Sequence, residues 1–84
     1  MLNKLTDRER KHLRRVKELP CGVCGQAAPS EAHHIRQHLQ YICIPLCPDC
    51  HRGNHNGIHG QKHLWNVLKK DEMKVLNDTI KKLL

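Results

Sequence analysis

The 84-residue chain contains no phenylalanine, one tryptophan and one tyrosine, so it has few of the bulky side chains that fill a small core. It also contains no run of 18 or more apolar residues, and we expect no segment to span a membrane. The N-terminal stretch from Met1 to Arg15 is densely charged and has no apolar signal-peptide region, which predicts a cytoplasmic, intracellular protein. A single domain of this size is expected to need a crosslink.

Cysteine is the residue type that supplies such a crosslink. The chain has five cysteines, and this odd number fits a set of disulfides poorly. Four of them form two Cys-x-x-Cys pairs, Cys21 with Cys24 and Cys47 with Cys50. Zn²⁺ prefers tetrahedral thiolate coordination, and one tight turn supplies two thiolates. We therefore predict a structural zinc bound by four cysteines, and we interpret Cys43 as a small buried apolar residue.

The formal net charge is +7, and the basic residues are concentrated at the two ends of the chain. Residues 1–17 carry seven basic and two acidic side chains, residues 18–60 two and three, and residues 61–84 six and three. Basic flanks around a nearly neutral centre suit a polyanionic partner such as DNA. Basic side chains that simply solvate exposed helix faces would give the same distribution.

The pattern predicts helices at both ends of a single domain. Thr6 and Glu9 have the spacing of a capping box, and the following basic helix should extend to about Glu18 before Pro20. This N-terminal segment is assigned to residues 1–19. Residues 61–69 should form a second helix, and Asp71 should cap a third. The apolar side chains expected to pack from these two C-terminal helices are Leu64, Trp65, Leu68, Met73, Leu76, Ile80 and Leu83.

The central segment, residues 20–60, should contain a short β-hairpin. The strand candidates are residues 32–35 and 41–46, joined by residues 36–40. From Pro48 to Gly60 the chain contains three glycines and two asparagines, so no long regular helix is expected there, and the glycines favour turns. The fold class that follows is a small zinc-bound α+β domain with flanking helices.

Seven of the eight histidines lie between positions 33 and 63. His33 and His34 should point to opposite faces of a strand, so that one can bind a metal while its neighbour contacts something else. His51, His55 and His59 recur every four residues after the second cysteine pair. Several imidazoles can thus converge beside the hairpin, which indicates a second metal site.

The sequence His-His-Ile, followed by a strand and Leu-Cys-Pro-Asp-Cys-His, resembles the zinc-stapled HNH endonucleases, which have a ββα-metal core. More narrowly, residues 44–53 and 56–60 resemble the phage-encoded recombination-enhancement nucleases that depend on RecA (Ref-like). The similarity extends over residues 20–84 and is specific at 44–60. The resemblance implies a metal-dependent DNA endonuclease, and a RecA filament as a partner.

The resemblance also implies residue roles. His34 takes the position of the general base, and the positions of the catalytic-metal ligands are taken by His33, His51 and His59, with His55 as a rival to His59. The catalytic cation would be Mg²⁺, Mn²⁺ or Zn²⁺. Arg36 and Arg52 are candidate phosphate contacts. Ile42 occupies the place of the family's middle asparagine, so the orientation of His34 must come from elsewhere, for example from a backbone carbonyl.

A second hypothesis uses the same cysteines and basic flanks without catalysis. The chain would then be a treble-clef-like zinc module that binds nucleic acid or acts as an adaptor for another protein. It predicts one metal per chain, whereas the nuclease hypothesis predicts two.

Overall fold

The computed structural model describes residues 4–84, and residues 1–3 of the expected N-terminal segment lie outside the described residues. Six elements follow one another along the chain: α1 (Asp7–Lys17), β1 (Glu31–His34), β2 (Cys43–Leu46), α2 (Pro48–Arg52), α3 (His63–Val67) and α4 (Glu72–Leu83). The molecule is a small α+β domain in which a β-hairpin packs against helices. No helix within residues 4–84 is both long and apolar enough to cross a membrane.

Helix α1 begins as its sequence predicts. The Thr6 side chain accepts a hydrogen bond from the Glu9 amide, and the Glu9 carboxylate accepts one from the Thr6 amide. Val16 is fully buried against the hairpin, whereas the basic residues of the helix are exposed. Arg15 Nη2 donates to the carbonyl of Leu83 at 2.7 Å, which links α1 to the end of α4. The two terminal helices therefore pack together on the same hairpin.

The hairpin is antiparallel, with Glu31 opposite Leu46 and His34 opposite Cys43. Strand β1 has the predicted length but begins and ends one residue earlier, β2 is two residues shorter than predicted, and the segment between them spans residues 35–42 instead of 36–40. Pairing continues one step further through the Ile35 amide, which donates to the Ile42 carbonyl at 3.0 Å. Tyr41 is half exposed and packs on His12, so its side chain does not extend β2 into the core.

The core forms around β2, where every residue from Cys43 to Leu46 is buried. Trp65 is the largest fully buried side chain, and Val75 and Leu76 cover the strand from α4. Cys43 is 1% exposed and lies outside the four-cysteine cluster, as predicted. Burial raises the pKa of the Cys43 thiol to about 11, which is expected of an inert core cysteine.

The phase of the last helix differs from the prediction. Met73 and Ile80 are 66% and 43% exposed, whereas Val75 and Thr79 are buried. Thr79 is accommodated in the core because its hydroxyl donates to the Val75 carbonyl at 2.8 Å. The expectation for Leu68 was also wrong: α3 ends at Val67, and Leu68 is 43% exposed just beyond it.

Segment 53–62 consists of turns, as the glycines predicted. Gly57 packs so closely on Gly53 that a β-carbon at position 57 would overlap the Gly53 carbonyl oxygen. This close approach lets the chain reverse direction immediately after α2. The turns bring His59, eight positions after His51 in the sequence, back toward His33 of the hairpin.

His12 is a titrating group whose effect on stability has a defined sign. Burial lowers its pKa and Arg15 lowers it further, although a backbone hydrogen bond with Tyr41 opposes both. In the unfolded chain the pKa of this histidine is about 6.5. As the pH falls below that value, the unfolded chain therefore binds more protons than the folded chain. The contribution of His12 is complete above about pH 6.5 and is lost as the pH falls toward the lowered value.

The free energy of unfolding can be measured with urea at several pH values. Between about pH 6.5 and 5 we expect it to fall less in His12→Leu than in the parent protein, because the group that titrates has been removed. His63→Leu, which changes an exposed histidine, is the matched control. Equal pH slopes in the parent and in His12→Leu would contradict the assignment.

Candidate metal centres and the cavity beside them

The four cysteines of the two Cys-x-x-Cys pairs converge in one cluster. Their sulfur atoms all lie within 4.8 Å of one another, and Cys24 Sγ lies 3.7 Å from Cys47 Sγ. A tetrahedral zinc with Zn–S bonds of about 2.3 Å would hold its sulfurs about 3.8 Å apart. The separation of Cys24 and Cys47 therefore fits a shared zinc ion.

Both turns of this cluster direct backbone N–H groups at sulfur. The Val23 amide donates to Cys21 Sγ, and the Cys50 amide donates to Cys47 Sγ, each at 3.4 Å. Burial disfavours ionisation of Cys21, but backbone hydrogen bonds outweigh it and bring the pKa of Cys21 to about 7. Burial raises the pKa of Cys47 and of Cys50. A divalent cation bound here would offset the negative charge of the four thiolates.

The second cluster contains His33, His51 and His59. Their ring centroids are 5.0 to 5.6 Å apart, and one nitrogen from each ring lies within 4.8 Å of the others. The resemblance to the HNH endonucleases left His55 as a rival to His59. In the structure His55 stacks on His63 instead, with ring centroids 4.3 Å apart, and both rings are exposed. Three imidazoles from β1, α2 and the following turns thus form a possible second metal site.

Two of the three histidine rings in this cluster are hydrogen-bonded to carboxylates. His33 Nε2 donates to Glu72 Oε2 and His51 Nδ1 donates to Glu31 Oε1, each at 2.8 Å. In each of these rings one nitrogen donates to a carboxylate, so in that tautomer the lone pair is on the other nitrogen. Burial lowers the pKa of His33, which the Glu72 carboxylate partly offsets, and the neutral form that a metal requires is favoured.

Glu31 has a second partner, the guanidinium of Arg52, which reaches both carboxylate oxygens. The hydrogen bond from Arg52, followed by that from His51, lowers the pKa of Glu31 and keeps it ionised. Arg52 is thus tied to the histidine cluster through Glu31, although its side chain remains 65% exposed. Arg36 is exposed and lies in the loop after β1.

His34 faces a cavity of about 440 Å³ beside the histidine cluster. The cavity is lined by His33, His34, Gln37, His38, Gln40 and His59. His34 Nε2 donates to Gln40 Oε1 at 2.7 Å, and in that tautomer the lone pair is on Nδ1. The ring is thus oriented by a side-chain amide from the hairpin loop, and not by a backbone carbonyl as the sequence analysis suggested.

The residues that sequence analysis missed are Glu31, Glu72, Gln40 and His38. Only Glu31 had a local signal, since it alternates with His33 on the same strand. His38 adopts a left-handed conformation with φ of 70° in the hairpin loop, which places it at the cavity. A second, smaller cavity joins this loop to the start of α1, because Lys4 and Glu9 line it together with His38 and Gln40.

The chain is therefore a small α+β domain with a four-cysteine cluster that could bind zinc and a histidine triad that could bind a second metal. Lewis-acid chemistry and proton transfer by His34 are both compatible with the cavity beside the histidine triad. No protein-family model, curated protein or solved structure matches this chain.

Proposed function

We propose that the protein is a metal-dependent endonuclease of the HNH type that hydrolyses phosphodiester bonds in DNA. One observation supports this proposal above the others: an oriented imidazole, His34, borders the same cavity as His33 and His59, two of the three clustered imidazoles. A zinc module without catalysis has no need for this arrangement. The choice of DNA rests on the resemblance of residues 44–60 to HNH nucleases and on the basic terminal segments.

The donor sets fit two different cations. Cys21, Cys24, Cys47 and Cys50 would hold a structural Zn²⁺. His33, His51 and His59 would hold the catalytic cation. Nitrogen donors favour a divalent transition metal over Mg²⁺, which prefers oxygen ligands. A cation bound there would stabilise negative charge on the phosphate and on the departing 3′ oxygen.

The chain's own groups would carry out the proton transfer. Gln40 holds the hydrogen of His34 on Nε2, so Nδ1 can accept a proton from the attacking water. The water oxygen bonds to phosphorus as the bond to the 3′ oxygen breaks. Arg36 and Arg52 are the arginines nearest in sequence to the histidine ligands, and we propose that they contact neighbouring phosphates.

Substrate delivery could also require a protein. The resemblance to RecA-dependent nucleases motivates the proposal that a RecA filament presents the DNA. In that case the isolated protein would be inactive on naked DNA, and addition of the filament would restore cleavage.

The test is metal stoichiometry combined with plasmid cleavage, measured with Mg²⁺, Mn²⁺ and Zn²⁺ and repeated with a RecA filament. We expect two metals per chain in the parent and one in the double variant His51→Ala, His59→Ala, which should lose cleavage. His55→Ala, His63→Ala removes the same number of imidazoles outside the triad and should keep both metals. One metal in the parent and no cleavage under any condition would favour the adaptor hypothesis.

A further inference from the structure

Glu72 connects the last helix to the histidine triad. It occupies the first position of α4, and its carboxylate accepts from His33 Nε2, 39 residues away in the sequence. The His33 side chain is 9% exposed and that of Glu72 is 35% exposed, so the contact is partly shielded from water. A charge-assisted hydrogen bond in such a position is stronger than a neutral one.

Glu31 and Glu72 differ in how their charge is used. Glu31 divides its oxygens between His51 and Arg52. Among residues 4–84 the Glu72 side chain makes one hydrogen bond, to His33. Its charge is therefore directed at a single imidazole. This is the arrangement by which a carboxylate fixes the tautomer of a metal ligand and increases its basicity.

We propose that Glu72 is a positioning residue of the histidine centre. It holds the hydrogen of His33 on Nε2, which leaves the Nδ1 lone pair for the cation. Through the same contact it couples metal binding to the packing of α4. The proposal rests on the metal-binding part of the proposed function and not on nuclease activity. Because such coupling is reciprocal, occupation of the triad should in turn stabilise the start of α4.

The first experiment measures metal affinity without any nuclease assay. Protein that carries zinc at the cysteines is titrated with Co²⁺, and binding is followed by visible absorption and calorimetry. We expect Glu72→Ala to bind Co²⁺ about 10- to 100-fold more weakly than the parent, since this is the usual effect of losing such a carboxylate. Glu72→Gln retains an oxygen that accepts from Nε2 and should lose less.

The matched control is Asp78→Ala, which removes an acidic side chain from the same helix. Asp78 lies at a different cavity, the one beside Cys21 and Cys24. This variant should leave Co²⁺ affinity unchanged. Zinc content and far-UV circular dichroism should be the same in all variants, which separates an effect on the triad from a loss of folding.

The second experiment reads the tautomer directly, by long-range ¹⁵N–¹H correlation of the histidine rings before Co²⁺ is added. His33 should carry its hydrogen on Nε2 in the parent and populate both tautomers in Glu72→Ala. A role for Glu72 in helix packing alone would leave the tautomer unchanged. Affinities within twofold of the parent in both Glu72 variants, or no Co²⁺ bound by the parent triad, would overturn the proposal. Co²⁺ binding that depends on Glu72, in a protein that does not cleave DNA, would support it and contradict the nuclease function alone.

Discussion

Cys50→Ser is expected to leave the chain largely unfolded and without zinc. Cys50 is the fully buried member of the cysteine cluster, and its carbonyl accepts from the Trp65 indole at 3.0 Å. Structural zinc sites contribute about 10–16 kcal/mol of apparent binding free energy, whereas small domains have a total stability of about 5–15 kcal/mol. A core with so few aromatic residues is not expected to supply a comparable free energy by packing alone.

Far-UV circular dichroism and zinc content check this result. Cys43→Ala is the matched control, because Cys43 is equally buried but lies outside the cluster. It should remain folded with one zinc at the cysteines and lose about 1 kcal/mol, the usual effect of a small core truncation. A Cys50→Ser variant that is folded and retains zinc would show that the cysteine cluster is not what stabilises the domain.

His34→Ala is expected to reduce the rate of DNA cleavage by about 10²- to 10⁴-fold, the usual contribution of a general base. The metals should remain bound, because His34 lies outside the triad. Gln40→Ala should reduce the rate less, since it leaves the His34 ring in place but removes the group that orients it. Single-turnover cleavage with saturating metal measures both effects.

His55→Ala is the control for loss of a histidine near the site, and it should cleave DNA at the parental rate. If His34→Ala cleaves as fast as the parent, the assignment of the base is wrong. If His34→Ala and His55→Ala cleave DNA equally slowly, the lost activity reflects a disturbance of the surrounding loops and not the loss of a proton acceptor.

Local signals in the sequence were sufficient for much of the fold. The capping box at Thr6 and Glu9, the tight turn from Cys21 to Gly25 and the turns at the glycines after Arg52 depend on neighbouring residues, and the structure contains all three. Helix α4 was harder, because Leu76 belongs to two overlapping apolar faces. One face adds Met73 and Ile80, and the other adds Val75 and Thr79. Packing on β2 selects the second face, and no spacing rule within the helix could show this.

The candidate site divides in the same way. His33, His51 and His59 were assigned as ligands from the resemblance to the HNH endonucleases, and the structure brings their ring centroids within 5.6 Å of one another. The groups that orient these rings could not be read from the sequence. Glu72 is 39 residues from His33, and Gln40 meets His34 only because the hairpin loop folds back. Such contacts depend on tertiary structure, which a linear pattern does not contain.

The indole of Trp65 has a practical consequence. This ring is the sole tryptophan of the chain, it is completely buried, and its N–H donates to the carbonyl of Cys50, a member of the four-cysteine cluster. Its fluorescence is therefore an intrinsic optical signal for the cysteine cluster: the emission comes from a dry, apolar environment while the cluster is intact and moves to longer wavelength once water reaches the ring. Disruption of the cysteine cluster can thus be followed in real time without attaching a dye.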